Sequence, residues 1–150
     1  MRALGLDIGK RRIGVAVSDP LGFVARPMET VQSVSLNVDV ARIVEIARGL
    51  EAEMIVVGDP VHMSGEAGTM SNRAHKFGEA LQAASGLPVA YCDERLTSVE
   101  AHRILQEAGV PLKKVRQQID AMAAAVILQS YLNTLKPPRS PDALLEDRYW

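Results

Sequence analysis

The first apolar positions of the chain fall into two short runs separated by a tight turn. Residues 3–9 and 12–18 are rich in Leu, Ile and Val, and the glycine-led segment 9–11 has the length of a hairpin turn. A third apolar run lies at residues 23–25 and is closed by Pro27. The pattern predicts an antiparallel hairpin followed by a short third strand.

The hydrophobic period then changes twice. Apolar residues recur at helical spacing over residues 40–50, behind a candidate N-cap at Asn37 or Asp39. Residues 54–58 are continuously apolar, as in a strand buried on both faces. The stretch 59–71 is rich in Gly, Ser and Pro and has no period, so we predict a loop there.

Helix and strand alternate in the second half of the chain. A helix that begins near Met70 is stopped by Gly86, and an apolar strand follows at residues 87–92. A capping-box spacing predicts the next helix over residues 97–108, and the last helix is predicted from about 113 to about 135.

This order of elements predicts the α/β fold class, with a mixed β-sheet flanked by helices in a single domain over residues 1–136. The tail, residues 137–150, contains three prolines and little pattern. We expect it to be flexible or loosely docked.

The composition is that of an ordinary globular protein, with 150 residues of which 47% are hydrophobic and 23% charged. No run approaches the ~18 apolar residues of a membrane span, and the N-terminus lacks a signal-peptide pattern. We therefore expect a cytoplasmic protein that does not enter a membrane. The single cysteine, Cys92, excludes an internal disulfide and a cysteine-based zinc site.

The formal net charge of −1 provides no overall basic surface for nucleic acid. Binding would depend on local basic patches, each of which taken alone is more typical of a solvated face. These patches are formed by Lys10, Arg11 and Arg12 in the hairpin turn, and by Lys113, Lys114 and Arg116 before the last helix.

Acidic residues occupy unusual positions in three of the predicted elements. Asp7 interrupts the first apolar strand, Asp93 and Glu94 follow a strand that is predicted to be buried, and Asp120 lies in a helix that is apolar nearly all round. An ionised carboxylate in such a setting is costly unless something compensates its charge.

Each acid also has an ordinary explanation. Asp7 can accept N–H bonds in its turn, Asp93 or Glu94 can cap the next turn or pair with Arg95, and Asp120 can pair with Arg116. A shared divalent cation explains all of these acids together. Hard oxygen ligands without His or Cys favour Mg²⁺ or Mn²⁺, and two such ions promote phosphodiester displacement.

The same residues resemble a known family. The hairpin motif DIGKRRIGVAVSD (7–19), the IVVGDP turn, CDERLTS (92–98) and KKVRQQIDAMAAAVILQSYL look like the YqgF/RuvX family over about residues 2–133. Its members have an RNase H-like fold and are described as Holliday-junction-resolvase-like proteins and pre-16S rRNA nucleases. The resemblance implies a metal-dependent nuclease that acts on structured RNA or branched DNA.

The resemblance also implies roles for individual residues. Asp7, Glu94 and Asp120 match the acidic, metal-binding and catalytic triad of the family, with Asp93 as a less certain neighbour of Glu94. Because adjacent strand residues point to opposite faces, at most one of Asp93 and Glu94 should face the metal, and Glu94 is the candidate. The candidate nucleic-acid contacts are Lys10, Arg11, Arg12, Arg95, Lys113, Lys114 and Arg116.

The loop after the central strand departs from the family pattern. Asp59 stands where the family has an apolar residue, and Ser64 stands where it has an acidic one. This leaves the triad unchanged and leaves the role of the loop open.

Two other functions start from the same features. One is a non-catalytic module that binds nucleic acid or a transcription or ribosome partner, and three inward acids argue against it. The other is an actin- or hexokinase-like ATPase, which needs two such domains and shows no Walker-type loop here. The choice between RNA and DNA, and between monomer and homodimer, stays open.

Overall fold

The computed structural model describes residues 1–60, 66–94, 103, 106–109 and 119–135. Within these residues five strands and three long helices are present. The strands are β1 (Ala3–Ile8), β2 (Arg12–Ser18), β3 (Ala25–Gln32), β4 (Met54–Asp59) and β5 (Val89–Asp93). The helices are α1 (Leu36–Gly49), α2 (Glu66–Ser85) and α3 (Ile119–Leu135).

The strands form one mixed sheet in the order β3-β2-β1-β4-β5. The pairs β1–β2 and β2–β3 are antiparallel, whereas β1–β4 and β4–β5 are parallel. The carboxyl ends of β1, β4 and β5 therefore meet at one edge of the sheet, which is where open α/β sheets place their binding sites.

Alternate side chains of the strands enter two separate cores. Leu4, Leu6 and Ile13 point to the face covered by α1 and α2, where Phe77 is also buried. The other face is lined by small residues and is covered by α3, whose Leu128 is fully buried. This second face is the one that carries Asp7, because its neighbours Leu6 and Ile8 belong to the first core.

Most of the predicted elements are confirmed. The hairpin strands, the central strand and the end of α2 before Gly86 lie where the hydrophobic pattern placed them. Gly86 has a φ of 73°, which suits a glycine that ends a helix. None of the described helices is long and apolar enough to cross a membrane.

The third strand is longer than predicted. It runs from Ala25 to Gln32 and contains Pro27, which the sequence pattern treated as a terminator. Pro27 is tolerated because β3 is an edge strand and because the register shifts at Ala16, its partner on β2. The buried amide of Gln129 on α3 also holds the start of the strand, since its Oε1 accepts from the Ala25 N–H at 2.9 Å.

The N-cap of α1 was predicted wrongly. Ser35 is the cap, and its Oγ accepts from the Val38 N–H at 3.3 Å. Asp39, one of the predicted caps, is buried and instead accepts from the Ser33 hydroxyl at 2.6 Å and the Val34 N–H at 2.9 Å. Both Ser and Asp are good caps, so the local pattern did not separate them.

The predicted loop 59–71 is shorter than expected. Asp59 is the last residue of β4, and residues 66–71 already belong to α2. Residues 61–65 lie outside the described residues, as do the predicted start of the 97–108 helix and the tail 137–150. Within that predicted helix, residues 103, 106 and 107 are helical.

Candidate active site

Acidic side chains from three elements converge at the carboxyl edge of the sheet. Asp7 is the penultimate residue of β1, Glu94 follows β5 directly, and Asp120 lies in the first turn of α3. Asp7 pairs in register with Gly14 of β2, and the Asp120 main chain lies against that glycine. The sheet register and the close approach of α3 thus position the acids.

Glycines on the α3 face permit this close approach. A Cβ at Gly5 would lie 2.6 Å from the Leu128 Cβ, and one at Gly14 would overlap the main-chain carbonyl oxygen of Asp120. Gly58 of β4 likewise leaves room for Glu94, whose Oε1 lies 2.9 Å from the position that a Cβ at Gly58 would take. Glycine inside a strand commonly marks such backbone contact.

Asp7 and Glu94 share a hydrogen bond and interact as like charges. Burial raises the pKa of Asp7, while the hydrogen bond with Glu94 lowers it and the charge of Asp120 raises it again. Burial, followed by the charge of Asp7 and the hydrogen bond with it, raises the pKa of Glu94 to about 7. Below about pH 7 Glu94 therefore carries the proton of the pair and donates a hydrogen bond to the Asp7 carboxylate.

This shared proton makes stability depend on pH in a defined direction. The pKa of Glu94 is 4.5 in its ordinary state and about 7 here, so between these values the folded protein binds more protons than the unfolded chain. We expect the unfolding free energy of protein prepared without divalent metal to fall as pH rises through this range. Urea denaturation at stepped pH measures it, and Glu94→Gln should flatten the slope; an unchanged slope would contradict the assignment.

Asp120 takes part differently from the other two acids. Its Oδ2 lies 2.9 Å from Nε of Arg12, and the two side chains are 32% and 53% exposed. A pair this exposed contributes little to stability, about 0–1 kcal/mol, so the contact is easily exchanged for another. Arg116, the alternative partner predicted for Asp120, lies outside the described residues.

Among the described residues, no three His, Cys, Asp or Glu side chains are close enough together to form a metal-binding group as they stand. Asp7 and Glu94 contact each other, whereas Asp120 is turned to Arg12. The donor set nevertheless suits a hard divalent cation, because it consists of carboxylates, two of which are half-buried and hydrogen-bonded to each other. A cation there would replace the proton of Glu94 and the guanidinium of Arg12.

The remaining predicted site residues are only partly described. Asp93 ends β5, opposite Asp59 of β4 in the sheet register, and the next residue, Glu94, is hydrogen-bonded to Asp7. Lys10 and Arg11 are exposed on the hairpin turn. Outside the described residues lie Arg95, Lys113, Lys114 and Arg116.

The sequence pattern did not reveal a polar cluster on the opposite face of the sheet. Asp59 is 4% exposed; its Oδ2 lies 2.6 Å from Nε2 of His75, and its Oδ1 accepts from the Ser71 hydroxyl at 2.6 Å. His75 stacks on Tyr91 with ring centroids 4.0 Å apart. The departure of Asp59 from the family pattern was the visible signal, but its partners follow 12 and 16 residues later on α2.

Asp59→Ala tests whether this cluster supports the fold. The substitution leaves the His75 ring nitrogen and the Ser71 hydroxyl without their acceptor, which typically costs about 1–3 kcal/mol. We expect a lower denaturation midpoint with an unchanged dependence of unfolding free energy on urea concentration. Ser71→Ala, which removes one donor and leaves the His75 contact, should cost less; equal losses would contradict this account.

Comparison with known proteins shows the family to which the chain belongs. A family model described as "RuvX: Holliday junction resolvase" matches residues 1–134. The chain belongs to the RuvX family. A RuvX relative from Moorella thermoacetica, named "Putative pre-16S rRNA nuclease", is 45% identical over 135 residues, which is 90% of this chain and 96% of that protein. A relative from Symbiobacterium thermophilum with the same name is 46% identical, and the match covers 93% of this chain and 99% of that protein.

Solved structures show where the RuvX fold recurs. Thermus thermophilus RuvC superposes with a TM-score of 0.62 at 18% identity, covering 90% of this chain and 96% of that one. The fowlpox virus Holliday junction resolvase superposes with a TM-score of 0.57 at 13% identity, covering 89% of this chain and 99% of that one. These likenesses confirm the predicted RNase H-like mixed sheet in a single domain, and the family match confirms the resemblance stated above.

Proposed function

We propose that this protein is a metal-dependent endonuclease that hydrolyses phosphodiester bonds during maturation of the 5′ end of pre-16S rRNA in the cytoplasm. The observation that carries the proposal is the hydrogen-bonded pair of Asp7 and Glu94 at the carboxyl edge of the sheet, with Asp120 beside it. Relatives that are 45% and 46% identical and are named as pre-16S rRNA nucleases support the choice of substrate.

The cost of the acid pair argues for a catalytic role. Two carboxylates that repel each other in a partly buried site destabilise the fold and are kept only where something compensates them. The small residues of the α3 face make the site possible, since Gly14 and Gly58 leave room for Asp120 and Glu94. A domain that only docked nucleic acid would have no need of this arrangement.

In the proposed reaction Asp7, Glu94 and Asp120 would hold Mg²⁺ or Mn²⁺. Such cations, of which we expect two, would supply Lewis acidity for the phosphodiester displacement. To do so, Glu94 would have to lose its proton and Asp120 would have to give up its contact with Arg12. Arg12, released from Asp120, then lies beside the acids and can contact a backbone phosphate of the substrate.

Lys10 and Arg11 extend the positive charge along the hairpin turn, beside the acids at the same edge. Arg95, Lys113, Lys114 and Arg116 are proposed as further contacts on the sequence pattern alone. Such contacts hold the strand without reading its sequence. They would serve an RNA or a DNA backbone alike, so substrate choice depends on shape and on 2′-hydroxyl groups.

Branched DNA is the second candidate substrate. The family description names a Holliday junction resolvase, and T. thermophilus RuvC of the same fold has been solved in complex with a Holliday junction substrate. A fold shared at 19% identity does not carry a substrate with it, whereas relatives above 40% identity carry the rRNA name.

The deciding experiment offers both substrates to the same protein. A precursor 16S rRNA 5′ leader and a four-way DNA junction, each end-labelled, are incubated with the protein and Mg²⁺ or Mn²⁺, and the products are separated on denaturing gels. We expect cleavage of the RNA leader and none when EDTA is present. Cleavage of the junction alone would show that branched DNA is the substrate. Binding without cleavage in either metal would favour the non-catalytic module.

A further inference from the structure

A cavity of about 290 Å³ lies on the α1–α2 face of the hairpin, away from the acids. Its wall is formed by the turn from Ser33 to Leu36, which begins α1, by Arg73 and Lys76 of α2, and by Lys10 of the hairpin turn. Lys10 belongs to the turn that joins Asp7 on β1 to Arg12 on β2. The cavity and the acidic site are therefore on opposite sides of one short turn.

The lining of the cavity carries an excess of positive charge. Among the described residues that line it, three are cationic and one, Asp39, is a carboxylate. Asp39 is 1% exposed, and its two oxygens accept from the Ser33 hydroxyl and the Val34 N–H, so they are engaged in building the wall. Such a concave, cationic surface attracts anions.

Arg73 is incompletely satisfied where it stands. Its Nη2 reaches the Ser33 hydroxyl only at 3.4 Å, and among the described residues its buried Nε has no hydrogen-bond partner. Buried donors without partners are uncommon and call for an explanation such as an absent ion or water. An oxyanion in the cavity would offer the guanidinium the paired acceptors that its planar fork is suited to bind.

The size of the cavity limits what it holds. At about 290 Å³ it is at the lower end of ligand-binding pockets, which suits a phosphate with part of its sugar better than a whole nucleotide. We propose that this cavity is a phosphate subsite for the nucleic-acid strand that crosses the hairpin turn from the acidic site. Arg73 and Lys76 bind the phosphate, and Lys10 lies between the two sites. The inference rests on the proposed function, because it takes the substrate to be a nucleic acid.

Binding without cleavage tests the subsite. Asp7→Asn protein is titrated into fluorescein-labelled single-stranded RNA from the 16S leader, and anisotropy gives Kd over a range of salt concentrations. Adding Arg73→Gln or Lys76→Gln should raise Kd roughly tenfold and lower the slope of log K against log salt by about 0.7 for each phosphate that is no longer neutralised. Lys76 is exposed, so its variant also answers the question if Arg73→Gln folds poorly.

Arg48→Gln is the matched control, since Arg48 is exposed in the last turn of α1, at the opposite end of that helix from the cavity. It should leave Kd and the salt slope unchanged. An equal effect of all three substitutions would overturn the proposal, because it would show a loss of general charge. Unchanged Kd in both cavity variants, or no RNA binding at all, would overturn it too.

Two further measurements distinguish free phosphate from the phosphate of a nucleic acid, and distinguish failure of the subsite from failure of the nuclease proposal. If inorganic phosphate binds the wild-type protein by calorimetry, and Arg73→Gln removes this binding without changing the Kd for RNA, the cavity holds free phosphate and the proposal is wrong. If wild-type protein cleaves RNA while the cavity variants bind normally, the subsite fails and the nuclease stands. Cavity-dependent binding by a protein that cleaves nothing supports the subsite and contradicts the nuclease.

Discussion

Asp7→Asn is expected to abolish cleavage while making the metal-free protein more stable. The amide cannot supply the anionic oxygen that a divalent cation needs, and losing about 4 kcal/mol of transition-state stabilisation corresponds to roughly a 10³-fold lower rate. Initial rates on the labelled RNA leader with Mg²⁺ measure this loss. Cutting by the variant at the wild-type rate would refute the metal mechanism.

The gain in stability follows from the same charges. Asp7 is the neighbour whose charge and hydrogen bond, after burial, raise the pKa of Glu94, so a neutral side chain at this position removes the repulsion. At pH 8 without metal we expect an increase of about 1 kcal/mol, or roughly 3 °C in Tm. In thermal unfolding with Mg²⁺ present, we expect the difference in Tm between variant and wild type to shrink or reverse, because only the wild-type site binds the cation well.

Asp19→Asn is a matched control for the change of charge. Asp19 follows β2 and accepts from the Phe23 and Val24 N–H groups at 2.7 and 2.8 Å, at the opposite edge of the sheet from the acids. Those backbone hydrogen bonds lower the pKa of Asp19 despite some burial. Its replacement should leave the cleavage rate unchanged and lower rather than raise the stability.

Gly14→Ala is expected to inactivate the protein without touching a carboxylate. The new methyl group would overlap the main-chain carbonyl oxygen of Asp120, and a backbone atom cannot move aside as a side chain can. The start of α3 must shift away from β2, and Asp120 must shift with it. Misplacement by about 1 Å at a catalytic site can cost roughly 10²-fold in rate, and overpacking costs about 1–3 kcal/mol in stability.

Gly49→Ala is the control for this substitution. Gly49 ends α1, and nothing lies within 4 Å of the position of its Cβ. Its replacement should leave the rate unchanged and the stability equal or slightly higher, because alanine has the better helix propensity. Cleavage rates and thermal unfolding of both variants measure the difference, and a fully active Gly14→Ala protein would show that the contact of α3 with β2 does not position Asp120.

The spacing of apolar residues and the residues typical of turns predicted most of the fold, because both are local properties of the sequence. The two hairpin strands, the buried strand β4 and the helix that stops at Gly86 each follow from neighbouring residues. The third strand was predicted too short because distant contacts decided its extent. Pro27 continues β3 because that strand lies at the edge of the sheet, and Gln129 on α3 holds its first residue.

The candidate site divides in the same way. The sequence by itself determined that Asp7 and Asp120 are acids in apolar surroundings, because a misplaced charge is visible from its neighbours. Glu94 was distinguished from Asp93 only by the family resemblance. The tertiary structure alone decided that Asp7 and Glu94 are hydrogen-bonded and that Asp120 pairs with Arg12, 108 residues away.

Hydrophobic period is set within a few residues, so the sequence specified the strands, the helices and the family motifs. The distances between side chains at the active edge depend on strand order, on register and on how closely α3 approaches the glycines of β1, β2 and β4. The same holds for Asp59 with His75 and for the cavity between α1 and α2. These contacts join residues that only the packing of the whole sheet brings together, and no local pattern encodes them.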